Sequence, residues 1–210
     1  MEMNQFFETT ILGRIFFPFH QKVSKVICRE CEDFIEKGSK ILDLGCGRGV
    51  LTNAIKNYFQ AKVVGVDIKD QRIVKNFPFR IYNGEKLPFP DNSFDIVFLS
   101  YVLHHTEDPK KVISEAKRVT KKKIIIFEDL PEGIFGILMS KFHHTAYSVI
   151  FNHKAFHRKT RKGWEKSFNE LDLRVVSSKR IKKWIVWLFP LPQKRIMFVL
   201  EKKRVPAHHR

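Results

Sequence analysis

Residues 41–49 read Ile-Leu-Asp-Leu-Gly-Cys-Gly-Arg-Gly, an apolar run that passes directly into a Gly-x-Gly-x-Gly turn. Lys40–Leu44 has the composition of a strand and Val50–Phe59 the apolar spacing of a helix, so the chain must turn within a few residues. Glycine permits this because it enters left-handed backbone conformations freely, and it lets a ligand approach the main chain closely. The helix that follows begins with N–H groups that have no partner inside the helix. A strand, a glycine turn and a helix make half of a crossover, and the next residues continue it. Lys62–Val66, Pro78–Tyr82, Phe94–Tyr101 and Lys123–Glu128 read as further strands, with a helix over Pro109–Val119 whose Val112, Ile113, Ala116 and Val119 share a face. Continuous runs of β-branched residues mark strands buried on both faces. Their alternation with helices predicts right-handed crossovers and a mostly parallel sheet, an α/β fold with helices on both faces.

The flanks follow a different rhythm. Residues 6–19 are strongly aromatic, include Pro18, and read as a short amphipathic arm. Gln21–Lys37 has helical spacing through Val23, Val26, Ile27, Cys31, Phe34 and Ile35, and Gly38 is placed to close that helix. Cys28 and Cys31 form a C-x-x-C pair, but Cys31 lies on the apolar stripe and no second pair completes a zinc site, so core packing is expected. After residue 130 come a segment rich in His and Phe, and then two strands, Leu173–Val186 and Arg195–Lys202. They are joined by a tip of Trp187, Leu188, Phe189, Pro190, Leu191 and Pro192, where the prolines block ladder pairing. The expected organisation is a single domain over 1–210. It comprises an arm and helix (1–37), a core (38–130), an acceptor lid (131–170) and a C-terminal hairpin (171–203).

With 210 residues, 43% hydrophobic and 29% charged, the chain is globular in composition and long enough for a full core. Its longest clean apolar run, Trp184–Pro192, is far short of the roughly 20 residues of a membrane-spanning helix. The start lacks the basic and apolar regions of a signal peptide. Three cysteines suggest a reducing compartment. A cytoplasmic protein, peripheral to a membrane at most, is therefore expected. The net charge of +17 is unevenly placed. Residues 1–109 hold 14 basic and 14 acidic side chains, whereas residues 110–210 hold 25 and 8. A neutral half and a basic half suit contact with an anionic partner, an anionic membrane surface or a nucleic acid, although a lysine-rich solvated surface has the same composition.

The glycine spacing differs from the G-x-G-x-x-G of dinucleotide sites. The second element of a nucleoside site is nonetheless present: Asp67 ends the strand Val63-Val64-Gly65-Val66-Asp67, about 20 residues beyond the glycines, where a carboxylate accepts from ribose hydroxyls. A helix cap is the alternative role for that residue. Asp-Leu-Gly-Cys-Gly-x-Gly, then Gly-Val-Asp, Asn-Gly-Glu-Lys-Leu-Pro-Phe-Pro-Asp-Asn-Ser-Phe-Asp-Ile-Val, Leu-His-His-x-x-Asp-Pro and Glu-Ala-Lys-Arg-Val follow in order over residues 40–128. Together they resemble the class I S-adenosylmethionine-dependent methyltransferases, in the branch acting on small molecules, quinones and lipids. The resemblance implies a Rossmann-like, seven-stranded sheet with one antiparallel strand from the C-terminal hairpin.

It also implies roles. Gly45, Cys46, Gly47 and Gly49 match the turn under the methionine and ribose parts of the cofactor. Asp43 matches the acidic residue that orients its amino group. Asp67 and Ile68 match the ribose end of the second strand. Asn83, Gly84 and Glu85 lie where the adenine is read, with Asn83 in place of the usual Asp. An amide oxygen there accepts from the adenine amine more weakly than a carboxylate. Ser100 and Tyr101 end the fourth strand at the ligand edge of the sheet. Lys121-Lys122-Lys123 replaces the usual Pro-Gly-Gly before the fifth strand and is expected in a loop away from the site. His105 is the candidate general base, with structural packing as the alternative; His104 is the weaker candidate, and Glu128 is either an acceptor contact or a cap. No metal is expected, since His153 and His157, four apart, lack a third ligand. Phe142, Tyr147, Phe151 and Phe156, among the histidines that also include His143 and His144, suit a lid over an apolar or planar acceptor. The reading that results is methyl transfer from S-adenosylmethionine, leaving S-adenosylhomocysteine, to a small lipophilic or aromatic acceptor. The alternatives are a tRNA methyltransferase using the basic half, or a non-catalytic cofactor-binding partner subunit.

Overall fold

The structure is a computed structural model and describes residues 11–132, 159–181 and 194–203. Its seven strands form one sheet in the order β3-β2-β1-β4-β5-β7-β6. These are β1 (Lys40–Leu44), β2 (Lys62–Asp67), β3 (Phe79–Ile81), β4 (Phe94–Ser100), β5 (Thr120–Leu130), β6 (Leu173–Ile181) and β7 (Lys194–Lys202). The helices are α1 (Ile11–Glu30), α2 (Val50–Tyr58), α3 (Pro109–Val119) and α4 (Arg161–Glu170). The chain divides into two compact units, one of residues 1–100 with 119–121, the other of residues 101–118 with 122–210.

In the first unit β1 lies between β2 and β4, parallel to both, with Ile41 opposite Val63 and Ile96. Strand β3 extends the sheet parallel to β2. Ile41, Leu42, Val97, Phe98 and Leu99 are fully buried, which is the two-sided burial their apolar runs predict. Helix α1 packs on α2. In place of a separate arm ending at Pro18, α1 runs through that proline and stops at Glu30. Beyond it the Cys31 and Phe34 amides donate to the Cys28 and Cys31 carbonyls three residues back, in tight turns. The apolar spacing continues to Ile35 because such turns keep the same residues inward, so periodicity alone extends the helix too far. Gly38 has φ 78°, but the residues just before it are turns, not helix. Cys28 and Cys31 are buried and unbridged, as core packing requires.

In the second unit β5 pairs with β7 and β7 with β6, both antiparallel, so β7 is the reversed strand. The expected lysine loop is instead the beginning of β5, where Thr120 is buried and Lys121 and Lys122 are exposed. Helix α4 starts at Thr160, whose hydroxyl accepts the Gly163 amide. Its Trp164 and Phe168 stack, and Phe168 meets the Phe198 ring of β7 edge-on in the core. No helix among the described residues is long and apolar enough to cross a membrane. The histidine- and phenylalanine-rich stretch from Phe142 to His157, residues 1–10 of the arm, and the Trp187–Pro192 tip lie outside the described residues.

Candidate functional site

The first unit builds its site on the turn after β1. Gly45, Gly47 and Gly49 have φ 80°, 50° and 78°, all in the left-handed region. At Gly49 the reason is doubled, since a Cβ would lie 2.6 Å from the Val74 carbonyl oxygen and 2.7 Å from the Phe77 ring. A Cβ on Gly47 would meet nothing within 4 Å, so this glycine borders open space. The amides at the turn are used internally. Gly45 and Cys46 donate to the Val66 carbonyl, and Gly49 donates to the Cys46 carbonyl. The turn therefore offers a ligand close backbone approach, not the row of free amide donors that a helix start alone suggests.

The Gly47 amide donates to Asp67 Oδ2 at 2.8 Å, and the Ile68 amide to Oδ1 at 2.7 Å. These bonds clamp the end of β2 to the glycine turn. Burial raises the Asp67 carboxyl above its ordinary range, against the opposing pull of the backbone amides of Gly47, Ile68 and Lys69. A carboxylate has about four lone-pair positions, so these bonds leave it able to accept from a vicinal diol. Ile68 is 50% exposed immediately beyond it. Asp43 is buried one layer deeper and accepts from the Thr52 hydroxyl at 2.6 Å. Burial pushes its carboxyl up to about 7; the Thr52 bond opposes this and the Asp67 charge adds to it.

Asn83 accepts the amides of Glu85 and Lys86 on its side-chain oxygen, at 3.0 and 3.2 Å. That oxygen closes the loop around Gly84, whose φ is 80°. The amide nitrogen is then the polar group left for a ligand, a donor where the usual Asp is only an acceptor. Thr52 and Phe77 carry no motif of their own, so sequence reasoning passed over them. Arg48 was passed over too; its carbonyl accepts the Ile73 and Val74 amides, and its charge, after burial, depresses the His20 imidazole of α1.

The second unit gathers Tyr101, His104, His105 and Glu128. Leu103–His105 is a 3-10 turn. Glu128 Oε1 accepts the Leu103 amide at 2.9 Å, and Oε2 meets His104 Nδ1 at 2.6 Å. The carboxylate thus caps this turn and fixes the His104 ring, and it is 1% exposed. His105 lies against His104 with ring centroids 4.0 Å apart. Tyr101 has φ 58°, and its amide donates to the Phe127 carbonyl at 2.9 Å. Among the described residues no group of three His, Cys, Asp or Glu side chains is arranged to hold a metal.

Comparison with known proteins shows what the chain is similar to. Residues 42–127 match the methyltransferase domain family. An uncharacterised methyltransferase of Schizosaccharomyces pombe is 36% identical over 106 residues, 42% of this chain and 38% of that protein. The ubiquinone/menaquinone biosynthesis C-methyltransferase UbiE of Cronobacter sakazakii is 35% identical over 132 residues, 55% of this chain and 52% of that one. The chain thus spans about half or less of these relatives. In fold it resembles a chain of the complex between the Haloferax volcanii Trm112 methyltransferase activator and a candidate methyltransferase. That likeness has a TM-score of 0.72 at 14% identity and covers 97% of this chain and 98% of that one. Residues 42–127 thus match the methyltransferase domain family, and the strand order with its reversed strand β7 is that of the Rossmann-like class I methyltransferase fold.

Proposed function

We propose that the chain is an S-adenosylmethionine-dependent methyltransferase that acts on a small, lipophilic or aromatic acceptor. The observation that carries the cofactor is the Asp67 carboxylate, held on the glycine turn by the Gly47 amide with lone pairs to spare. Its acceptor-only chemistry fits both ribose hydroxyls. Gly45, Cys46, Gly47 and Gly49 would lie under the ribose and methionine parts. Asp43 would offer negative charge to the cofactor's amino group. Ile68 would give the adenine an apolar shelf. Gly84 and Glu85 would border the ring, with the Asn83 amide nitrogen donating to it. Ser100 and the Tyr101 backbone would close the ligand edge. When bound, the cofactor supplies a methyl group made electrophilic by a positively charged sulfur.

The chain's own contribution is to bind and align, which is worth up to ~7–11 kcal/mol in favourable cases. A base is required only where the acceptor carries a proton of high pKa, and His105 is then the candidate. Glu128 and His104 hold one another and the turn that carries His105, a positioning role. The lipophilic acceptor rests on the likeness to the quinone-pathway C-methyltransferase and on the aromatic residues of the arm and tip.

Two measurements test the reading. Asp67→Ala should lower S-adenosylmethionine affinity by at least about tenfold in calorimetry, since it removes a hydrogen-bonded charge. Unchanged affinity would remove Asp67 from the site. Incubation with methyl-labelled cofactor and cell extract should then place label in the organic phase. Label in RNA would assign the basic half to phosphate contacts. Cofactor binding without any transfer would indicate a partner-dependent subunit, in line with the activator complex of the Haloferax volcanii neighbour.

A further inference from the structure

Asn83 stands beside the end of β2, and it belongs with Asp67 to the first unit. Strand β3 pairs with β2 so that Ile81 is opposite Asp67, and the Tyr82 amide donates to the Asp67 carbonyl at 3.1 Å. A Cβ on Gly84 would lie 3.8 Å from Ile68 Cγ2. The loop that carries Asn83 is thereby held against the residue that follows Asp67. Asn83 is exposed, and so is Ile68. A nucleoside whose ribose is held by Asp67 therefore has its base within reach of Ile68 and Asn83.

The loop fixes what Asn83 can offer a base. Its Oδ1 accepts two backbone amides, that of Glu85 at 3.0 Å and that of Lys86 at 3.2 Å. An amide oxygen has two lone pairs, so both are in use. Turning the carboxamide over would aim its NH2 group at those two N–H donors and forfeit both bonds. The orientation is therefore set, and Nδ2, a donor with no acceptor capacity, is the group left for a ligand. An Asp at this place differs in kind. One of its oxygens could cap the loop while the other accepted from an exocyclic amine. Asn83 has no acceptor left for such an amine, but it can donate to a purine ring nitrogen or to an oxygen at C6.

We infer that the nucleoside site does not select the 6-amino group of adenine and takes the 6-oxo purine as well, with Asn83 as the residue that sets this breadth. The inference rests on the cofactor reading above and widens its ligand class from adenosyl to inosyl forms. The ring nitrogen N7 is an acceptor in both bases. In the 6-oxo purine, O6 replaces an amine donor with a further acceptor, so Nδ2 has a partner in either. Glu85, two residues on, is an exposed carboxylate with the chemistry to accept from an amine, and the test includes it.

The test uses the full chain in calorimetric titrations with S-adenosylhomocysteine and S-inosylhomocysteine. Wild type should bind both, with dissociation constants within about threefold, since one neutral hydrogen bond is made in each case. Asn83→Asp can keep the loop bonds and gains an acceptor. It should melt with wild type yet prefer the adenosyl form by about thirtyfold, through a charge-assisted bond to the amine and a carboxylate set against O6. A wild-type preference for the adenosyl form of about tenfold or more, the worth of a hydrogen bond read at the amine, would overturn the inference. Loss of that preference in Glu85→Gln would then make Glu85 the reader of the amine. The same ratio in wild type and Asn83→Asp would overturn it too, because Asn83 would not face the base. The wild-type ratio decides the breadth whether or not the variant folds. Adenosyl binding without inosyl binding strikes this inference alone. Binding of neither by wild type strikes the cofactor reading and the inference with it.

Discussion

With Asp43 as the proposed partner of the cofactor's amino group, its buried carboxyl would connect binding to pH. Its carboxyl is pushed up to about 7 chiefly by burial, from an ordinary value of 3.8. Between those two values the unfolded chain releases the proton while the folded chain keeps it. The unfolded state then binds fewer protons, so stability falls as pH rises through that window, and the cost is complete above pH 7. Asp43→Asn removes the buried charge and can still accept from Thr52. A gain of about 2 kcal/mol at pH 8 corresponds to a melting temperature about 4–8 °C higher, and the gain should vanish below pH 4. The same substitution should weaken S-adenosylmethionine about tenfold, by loss of a charge-assisted contact. Wild-type affinity should accordingly rise with pH up to neutrality, seen in calorimetry as proton release on binding. A flat affinity profile would detach Asp43 from the cofactor's amino group.

At the scale of elements, the glycine in β2 has a role that its motif conceals. Gly65 has no positive φ, so conformational freedom is not its reason. A Cβ there would stand 2.7 Å from the Phe77 ring and 3.0 Å from Cys46 Sγ. The same ring fills the space above Gly49, so Phe77 wedges between β2 and the start of α2. Gly65→Ala should therefore destabilise the fold by about 1–3 kcal/mol through overpacking. Adding Phe77→Leu, which removes the clashing ring edge, should recover part of the loss. A double-mutant cycle in urea measures the coupling, and strict additivity would refute the wedge.

The contrast with what sequence reveals is physical. Strand β1, the glycine turn, Asp67, β4 and α3 are legible because local pattern and tertiary role agree. The continuation of α1 through Pro18 is not, since packing against α2 overrides a local breaker. The inward use of the turn's amides and the Asn83 oxygen is hidden as well. Both depend on which backbone groups come near, and composition does not record that. Tyr101 is legible as the end of β4, but its left-handed backbone is not.

For the whole molecule the decisive quantity is the placement of charge. All of the +17 excess falls in residues 110–210, 25 basic against 8 acidic. In the second unit β6 is the sheet's edge, where Arg174, Lys179 and Arg180 guard unpaired backbone groups against association. Arg174 and Arg180 are ion-paired with Glu201 and Glu132, so part of the charge is locally neutralised. Lys162 and Lys166 on α4 are exposed. A lipophilic acceptor reached at an anionic bilayer would use such lysines, each worth about 1 kcal/mol near the surface. Reversing both, as Lys162→Glu with Lys166→Glu, should weaken association with phosphatidylglycerol vesicles by about thirtyfold or more in sedimentation, while S-adenosylmethionine affinity stays unchanged. Raising salt from 50 to 300 mM should release wild type as well, because screening shortens the reach of the charges to about 6 Å. Vesicle binding indifferent to both the reversal and salt would place attachment on aromatic residues. No vesicle binding at low salt, with tight salt-sensitive tRNA binding lost in the same variant, would transfer the basic half to RNA and take the lipophilic acceptor with it.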